Sequence, residues 1–117
     1  DGIMSSFYSA EDAVKAAMQI QRELAKVRAA NGHEHPVRVR IGAATGEPVE
    51  QRHDLFGSTV QLAARLCAHA QPDQVLVSSD TYDCCCNAAA GLSFDDAGHA
   101  QLKGFEQPVR VHAVVYV

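Results

Sequence analysis

The sequence predicts a mixed α+β domain in which two long helices lie over a largely antiparallel sheet. Three observations predict it. Ala13, Ala17, Ile20, Leu24 and Val27 recur at alternating spacings of four and three, which is one apolar stripe of a helix. Val37, Val39 and Ile41 alternate with Arg38 and Arg40, and Val109, Val111, Ala113 and Val115 alternate near the end, as half-buried strands do. Helical and extended stretches interleave without an internal repeat, a low-complexity tract or a linker. The 117 residues therefore read as one domain, 1–117.

The elements follow in order. Residues 3–8 read as a short strand after an Asp1-Gly2 turn. Ser9 caps the first helix, and Glu11 and Asp12 in its first turn complement the helix dipole. Asn31-Gly32 ends it, and residues 33–36 form a polar connector. The strand over 37–41 passes into a turn over 42–46, and residues 48–51 suggest a short return strand. Ser58 or Thr59 caps the second helix, which runs to about His69 with Val60, Ala63, Ala64 and Cys67 facing inward. Pro72-Asp73 is a turn. Residues 74–77 form a strand, and Ser79 opens a short helix through the cysteines. Two weak strands, 92–94 and 100–102, flank Gly98 before the final strand.

Composition narrows the function. Hydrophobic residues make up 47% and charged residues 21%, as in ordinary globular proteins. A net charge of −4 gives no bulk attraction to nucleic acid or to an anionic membrane surface. No apolar run reaches the roughly 18 residues of a membrane helix. Cys84, Cys85 and Cys86 are adjacent, so they form neither a disulfide framework nor a zinc motif; with Cys67 they read as plain thiols of a reducing, cytoplasmic compartment. His33-Glu34-His35 lacks the helical spacing of a metal site. The chain opens at Asp1 rather than Met and is expected to be part of a longer one.

The stretch from Asp54 to Arg65 carries the most chemistry. It sets a carboxylate before the Phe56-Gly57 turn and then a helix with Gln61 and Arg65 one turn apart. Residues four apart share a helix face. An acid can read a base and a guanidinium can fork onto phosphate oxygens, so the arrangement suits a nucleotide. The plain readings are a solvated loop acid, a surface arginine and a helix-forming glutamine.

At this point the chain resembles a known family. Asp1-Gly2 with Ile3-Met4 looks like the end of a Gly-Asp-Gly hairpin. Arg38 to Gly42 with Thr45-Gly46-Glu47 is similar to a strand and turn written R-x-G-[IL]-x-x-G. Phe56-Gly57 through Arg65-Leu66 resembles F-G-x-x-V-N-x-A-A-R-L. Gln74 to Ser78 with Thr81-Tyr82 matches the next strand and helix, and Leu102-Lys103-Gly104-Phe105 with Pro108-Val109 matches an L-K-G-[FV]…P-V ending. Five strings in this order resemble the catalytic domain of class III nucleotidyl cyclases, the adenylate and guanylate cyclases.

The resemblance implies a ferredoxin-like α+β nucleotidyl cyclase fold, largely antiparallel with its helices on one face and here N-terminally incomplete. It implies conversion of ATP to 3′,5′-cyclic AMP and pyrophosphate, with the ribose 3′-hydroxyl attacking the α-phosphate. Two divalent ions, Mg2+ or Mn2+, assist. The site is shared across a head-to-tail homodimer, so Asp1 of one copy faces Asp54, Gln61 and Arg65 of the other. By position, Asp1 matches a metal-binding aspartate, Asp54 the purine-reading residue and Arg65 the arginine that meets charge on the α-phosphate. An acid at 54 accepts from the adenine amino group and repels the guanine carbonyl, which points to ATP.

Gln61 departs from the family's asparagine, which orients the ribose. It keeps the amide but adds a methylene, and a displacement of about 1 Å can cost on the order of a hundredfold in rate. The family's other metal aspartate, its phosphate-gripping loop and an adenine-selecting lysine all lie upstream of Asp1. The 117 residues alone are therefore expected to be neither a competent enzyme nor a comfortable monomer, since missing strands leave an open edge. Two function classes stand: an adenylate cyclase domain, and a cyclase-homology domain that has lost its chemistry and serves dimerisation or nucleotide sensing. An unrelated ferredoxin-like binding module would make the five ordered matches accidental.

Overall fold

A helix beginning at Ser9 is the first element that the sequence dictates and the structure contains. The structure, a computed structural model, describes residues 5, 7, 9–30, 38–46, 58–87 and 91–116. Helix α1 spans Ala10–Ala30. The Ser9 hydroxyl accepts from the Asp12 amide at 3.3 Å, and its carbonyl accepts from the Ala13 amide at 3.1 Å. The first bond satisfies one of the amides left free at the helix start, and the second is the helix's first internal bond. Most of the strand expected over 3–8 and all of the return strand over 48–51 lie outside the described residues.

The buried face of α1 is not the expected stripe. Val14, Ala17, Met18 and Gln21 are buried, whereas Ile20 and Val27 stay 48% and 51% exposed. Gln21 explains the rotation. Its amide nitrogen donates to the Val39 carbonyl at 2.9 Å, so a polar residue anchors the inward face.

Strand β1 is Ile41–Ala43, β2 Val75–Ser78, β3 Ser93–Ala100 and β4 Val109–Val115. The sheet order is β1-β2-β4-β3. β1 runs parallel to β2, with Gly42 opposite Leu76, and the other two pairings are antiparallel. The first strand begins later than its alternation suggested. Val37 lies outside the described residues, and the Val39 carbonyl is taken by the Asp73 amide at 3.0 Å and by Gln21. The Pro72-Asp73 turn forms as expected: Asp73 adopts a φ of 72°, and Arg28 and Arg38 pair with its carboxylate.

The two weak strands around Gly98 are one strand. The β3–β4 register slips between Asp96 and His99. There Gly98 takes a φ of 79° and its amide donates to the Asp96 carboxylate at 2.8 Å. A bulge of this kind lets a strand continue through a glycine that reads as a break.

Helices cover both faces of the sheet rather than one. Val75 and Val77 of β2 pack with Val14, Ala17 and Met18 of α1, with Cys85 of the third helix, α3 (Ser79–Asn87), and with Val114. Leu76, between those valines, packs on the other side with Leu66 and Ala70, with Ala100 and Leu102, and with Val111. Leu66 belongs to helix α2, Ser58–His69. Every residue of β2 is buried, as a strand covered on both faces must be. The mixed α+β class holds; the one-sided arrangement does not.

Helix α2 faces inward through Leu66, which is fully buried, and Leu62. Val60, Ala63 and Cys67 of the expected stripe are half-buried and Ala64 is exposed. The residue opposite them explains this. A side chain at Gly42 would collide with the backbone of Ala63, Leu66 and Cys67. Glycine at 42 lets α2 lie directly on β1, so small residues suffice at that contact. The Cys67 thiol donates to the Arg40 carbonyl at 3.2 Å across it.

Candidate phosphate-facing site on the second helix

Helix α2 presents its polar face one turn at a time. Gln61 is exposed and Arg65 is half-buried, four residues on. The chain beneath them is fixed by Leu66 in the core and by the Ala70 amide, which donates to the Leu66 carbonyl at 2.9 Å. Arg65 is thus carried on a rigid support.

Opposite α2 lies the connection between β3 and β4. Leu102 is buried in the same cluster as Leu66. The Phe105 amide donates to the Leu102 carbonyl at 3.1 Å and closes a four-residue turn. Gly104, third in that turn, has a φ of 91°, the region glycine enters without penalty. Lys103 therefore stands at the exposed corner. The Gln101 side chain donates to the Phe105 carbonyl at 3.0 Å and braces the turn.

The two elements enclose an open depression lined by Arg65, Ala68, His69, Gln101, Leu102 and Lys103. Among the described residues no carboxylate lines it. The Arg65 Nε is buried and has no hydrogen-bond partner among the described residues. A buried, always-charged donor without a partner is a standing demand for an acceptor. Beside Lys103, the acceptor that suits it is an oxyanion. The Gln61 amide leans the same way: it packs on Gly104, in the space a side chain there would fill.

The structure thus brings Gln61 and Arg65 together and adds Lys103, whose part in the site the Leu102-Lys103-Gly104-Phe105 motif alone does not reveal. The signal was available, because a lysine followed by glycine in a short strand connection sits at an exposed corner. Asp1 and Asp54, and the connector with His33-Glu34-His35, lie outside the described residues. Among the described residues no group of three or more His, Cys, Asp or Glu could hold a metal ion. The residues that line the depression can meet phosphate oxygens. No helix among the described residues is long and apolar enough to cross a membrane.

The cysteines stay apart from this site. Cys85 is buried in the core, and burial pushes its thiol pKa up. Cys84 and Cys86 are exposed, and all four are free thiols. Ser78, Thr81 and Thr45 form a separate hydroxyl chain, with Thr81 3.0 Å from Ser78 and 2.7 Å from Thr45. It caps α3 and ties the end of β1 to it.

The profile of the family described as adenylate and guanylate cyclase catalytic domain matches residues 2–116. "Putative adenylate cyclase 3" of Rhizobium meliloti is 30% identical over 111 residues, covering 95% of this chain and 19% of that protein. The crystal structure of an adenylate/guanylate cyclase/hydrolase from Silicibacter pomeroyi superposes with a TM-score of 0.73 at 26% identity, covering 93% of this chain and 64% of that one. The adenylyl cyclase CyaB from P. aeruginosa has the same fold, with a TM-score of 0.73 at 24% identity over 91% of this chain and 58% of that one. The chain therefore spans about a fifth of its curated relative and roughly three-fifths of the solved domains. With a profile match running almost from end to end, the chain belongs to the family of adenylate and guanylate cyclase catalytic domains.

Proposed function

We propose that this chain is the catalytic domain of an adenylate cyclase, converting ATP to 3′,5′-cyclic AMP and pyrophosphate. One observation supports the reading above others: Arg65 and Lys103 line a single depression with no carboxylate among its described residues, and the Arg65 Nε is buried and awaits an acceptor. In this reading the ribose 3′-oxygen forms a bond to the α-phosphorus. The bond from that phosphorus to the bridging oxygen breaks, pyrophosphate leaves, and the hydroxyl proton passes to solvent. Arg65 meets the negative charge that builds on the α-phosphate oxygens. Lys103, at its corner, meets the phosphates that leave.

Asp54 would read the adenine amino group. Asp1 would give a hard oxygen ligand to Mg2+ or Mn2+, which lowers the charge on the phosphates when bound. The site would be completed by a second copy arranged head to tail, with Asp1 of one protomer facing Asp54 and Arg65 of its partner. A cytoplasmic setting fits a nucleotide substrate and free thiols.

Gln61 motivates a second reading. It replaces the family's asparagine, and its amide is engaged against Gly104. A domain without that ribose contact could serve dimerisation or nucleotide sensing instead. The test is cyclic AMP formation from ATP with Mn2+ by the full-length protein and its Arg65→Ala variant. A wild-type rate about a hundredfold or more above the variant is expected, as for loss of one charge-stabilising donor. Equal rates would reject the role given to Arg65. No product from either, with ATP still bound, would favour the sensing reading.

A further inference from the structure

We infer that Gln61 is a positioning residue that acts through Lys103, not a group that touches the nucleotide. The inference rests on the reading of the Arg65–Lys103 depression as a polyphosphate site. Its basis is the contact between α2 and the β3–β4 turn. Lys103 is held by its own turn at Leu102 and Phe105, but the outer edge of that turn, Gly104, has no side chain. The Gln61 amide fills the vacancy. It packs on the Gly104 Cα where a methyl group would overlap it, with its amide carbon 3.6 Å from that methyl position.

Length decides the matter. Gln61 and Arg65 share a helix face, with Arg65 lining the depression and Gln61 reaching Gly104 beside it. An asparagine at 61 would stop one methylene short of Gly104 and leave the turn unsupported on this side. Glutamine spans the gap. Its amide is then occupied by packing on Gly104, and no hydrogen bond among the described residues orients it toward the depression. A lysine side chain already samples many rotamers on its own account. A backbone turn that also drifted would spread its charge over a wider volume. Backing the turn at Gly104 confines the Lys103 Cα and keeps the ammonium within reach of the phosphates that Arg65 contacts.

Steric support predicts a pattern that direct ligand contact does not. The measurement is binding of inorganic tripolyphosphate to the full-length protein by calorimetry, for wild type, Gln61→Asn, Gln61→Met, Lys103→Ala, Arg65→Ala and the double variant Gln61→Asn/Lys103→Ala. Gln61→Asn should weaken binding roughly fivefold on its own and by less than about twofold once Lys103 is already alanine, the non-additivity expected of residues acting through one another. Gln61→Met, which keeps length without the amide, should bind like wild type. Circular dichroism melting of each variant separates unfolding from lost binding, and Gln61→Met serves if Gln61→Asn melts early.

Equal weakening by Gln61→Asn in both backgrounds, or weakening by Gln61→Met, would show that the amide itself meets the ligand and would overturn the proposal. So would an unaffected Gln61→Asn beside a weakened Lys103→Ala. Unchanged binding in both Arg65→Ala and Lys103→Ala would instead remove the polyphosphate site on which the inference stands.

Discussion

The Cys67 backbone occupies the space that any side chain at Gly42 would need. This one contact sets how closely α2 lies on β1, and hence where Arg65 stands. Gly42→Ala must push against main chain on three sides, at Ala63, Leu66 and Cys67, and backbone yields less readily than a side-chain tip. Overpacking of this kind costs about 1–3 kcal/mol. The urea midpoint of the variant should fall accordingly, and cyclic AMP formation by the full-length protein should fall further than stability alone explains. An unchanged midpoint would mean that α2 is not seated on the glycine.

The rotated face of α1 makes a paired prediction. Met18 lies in the core beside Val14 and Val75, while Ile20 is about half exposed. Met18→Ala should cost about 2–5 kcal/mol, the range for truncating a buried side chain. Ile20→Ala should change stability by no more than about 0.5 kcal/mol. Equal losses in denaturation would restore the stripe read from the sequence.

His112 lies flat on Tyr82, with ring centroids 3.8 Å apart and planes 2° from parallel, and Phe94 meets Tyr82 edge-on. Burial disfavours the imidazolium and holds the His112 pKa below its ordinary 6.5; Arg110 on the same strand adds to this, against the opposing charges of Asp96 and Asp83. The sign follows. Below about pH 6.5 the unfolded chain binds a proton that the folded chain resists, so stability is full above that pH and is lost as pH falls through the lower, folded value. His112→Phe keeps a ring on Tyr82 and cannot titrate. Its unfolding free energy should fall less than that of wild type between about pH 7.5 and 5.5. Parallel profiles would assign the acid sensitivity to other groups.

Much of this architecture was legible because local chemistry wrote it. Ser9 and its hydroxyl start α1, Pro72-Asp73 makes its turn, and the alternation after Pro108 makes β4. What escaped is what depends on partners distant in sequence. Two stripes at helical spacing compete on α1, and the winner contains a glutamine whose value lies in the Val39 carbonyl. Val75, Leu76 and Val77 read as a continuous apolar run, which does not say that two faces are covered until α1 and α2 are seen on opposite sides. Arg65 could be chosen from its helix and its motif. Lys103 could not be joined to it, because α2 and the β3–β4 turn meet only in three dimensions, through the shared burial of Leu66 and Leu102 and the packing of Gln61 on Gly104.

The two cations of the depression should fail in different ways. Arg65 is half-buried, and its Nε is sealed and without a partner among the described residues; in the proposed reading it meets charge that appears as the α-phosphate reacts. A guanidinium presents a rigid fork, and an ammonium does not. Arg65→Lys keeps the charge and loses the fork, so its cyclase kcat should drop by roughly tenfold to a hundredfold, short of the loss in Arg65→Ala, with KM for ATP little changed. Lys103 is exposed at a turn corner; in the proposed reading it meets phosphates that carry their charge before and after the reaction alike. Lys103→Ala should therefore raise KM for ATP by roughly tenfold with a smaller change in kcat, the signature of lost uniform binding. Its effect should also shrink as salt is raised from about 0.05 to 0.5 M, because exposed charge is screened at that strength and half-buried charge much less so. Steady-state kinetics on the full-length protein at both salt concentrations decide the matter: a KM effect in Arg65→Lys and a kcat effect in Lys103→Ala would exchange the two assignments.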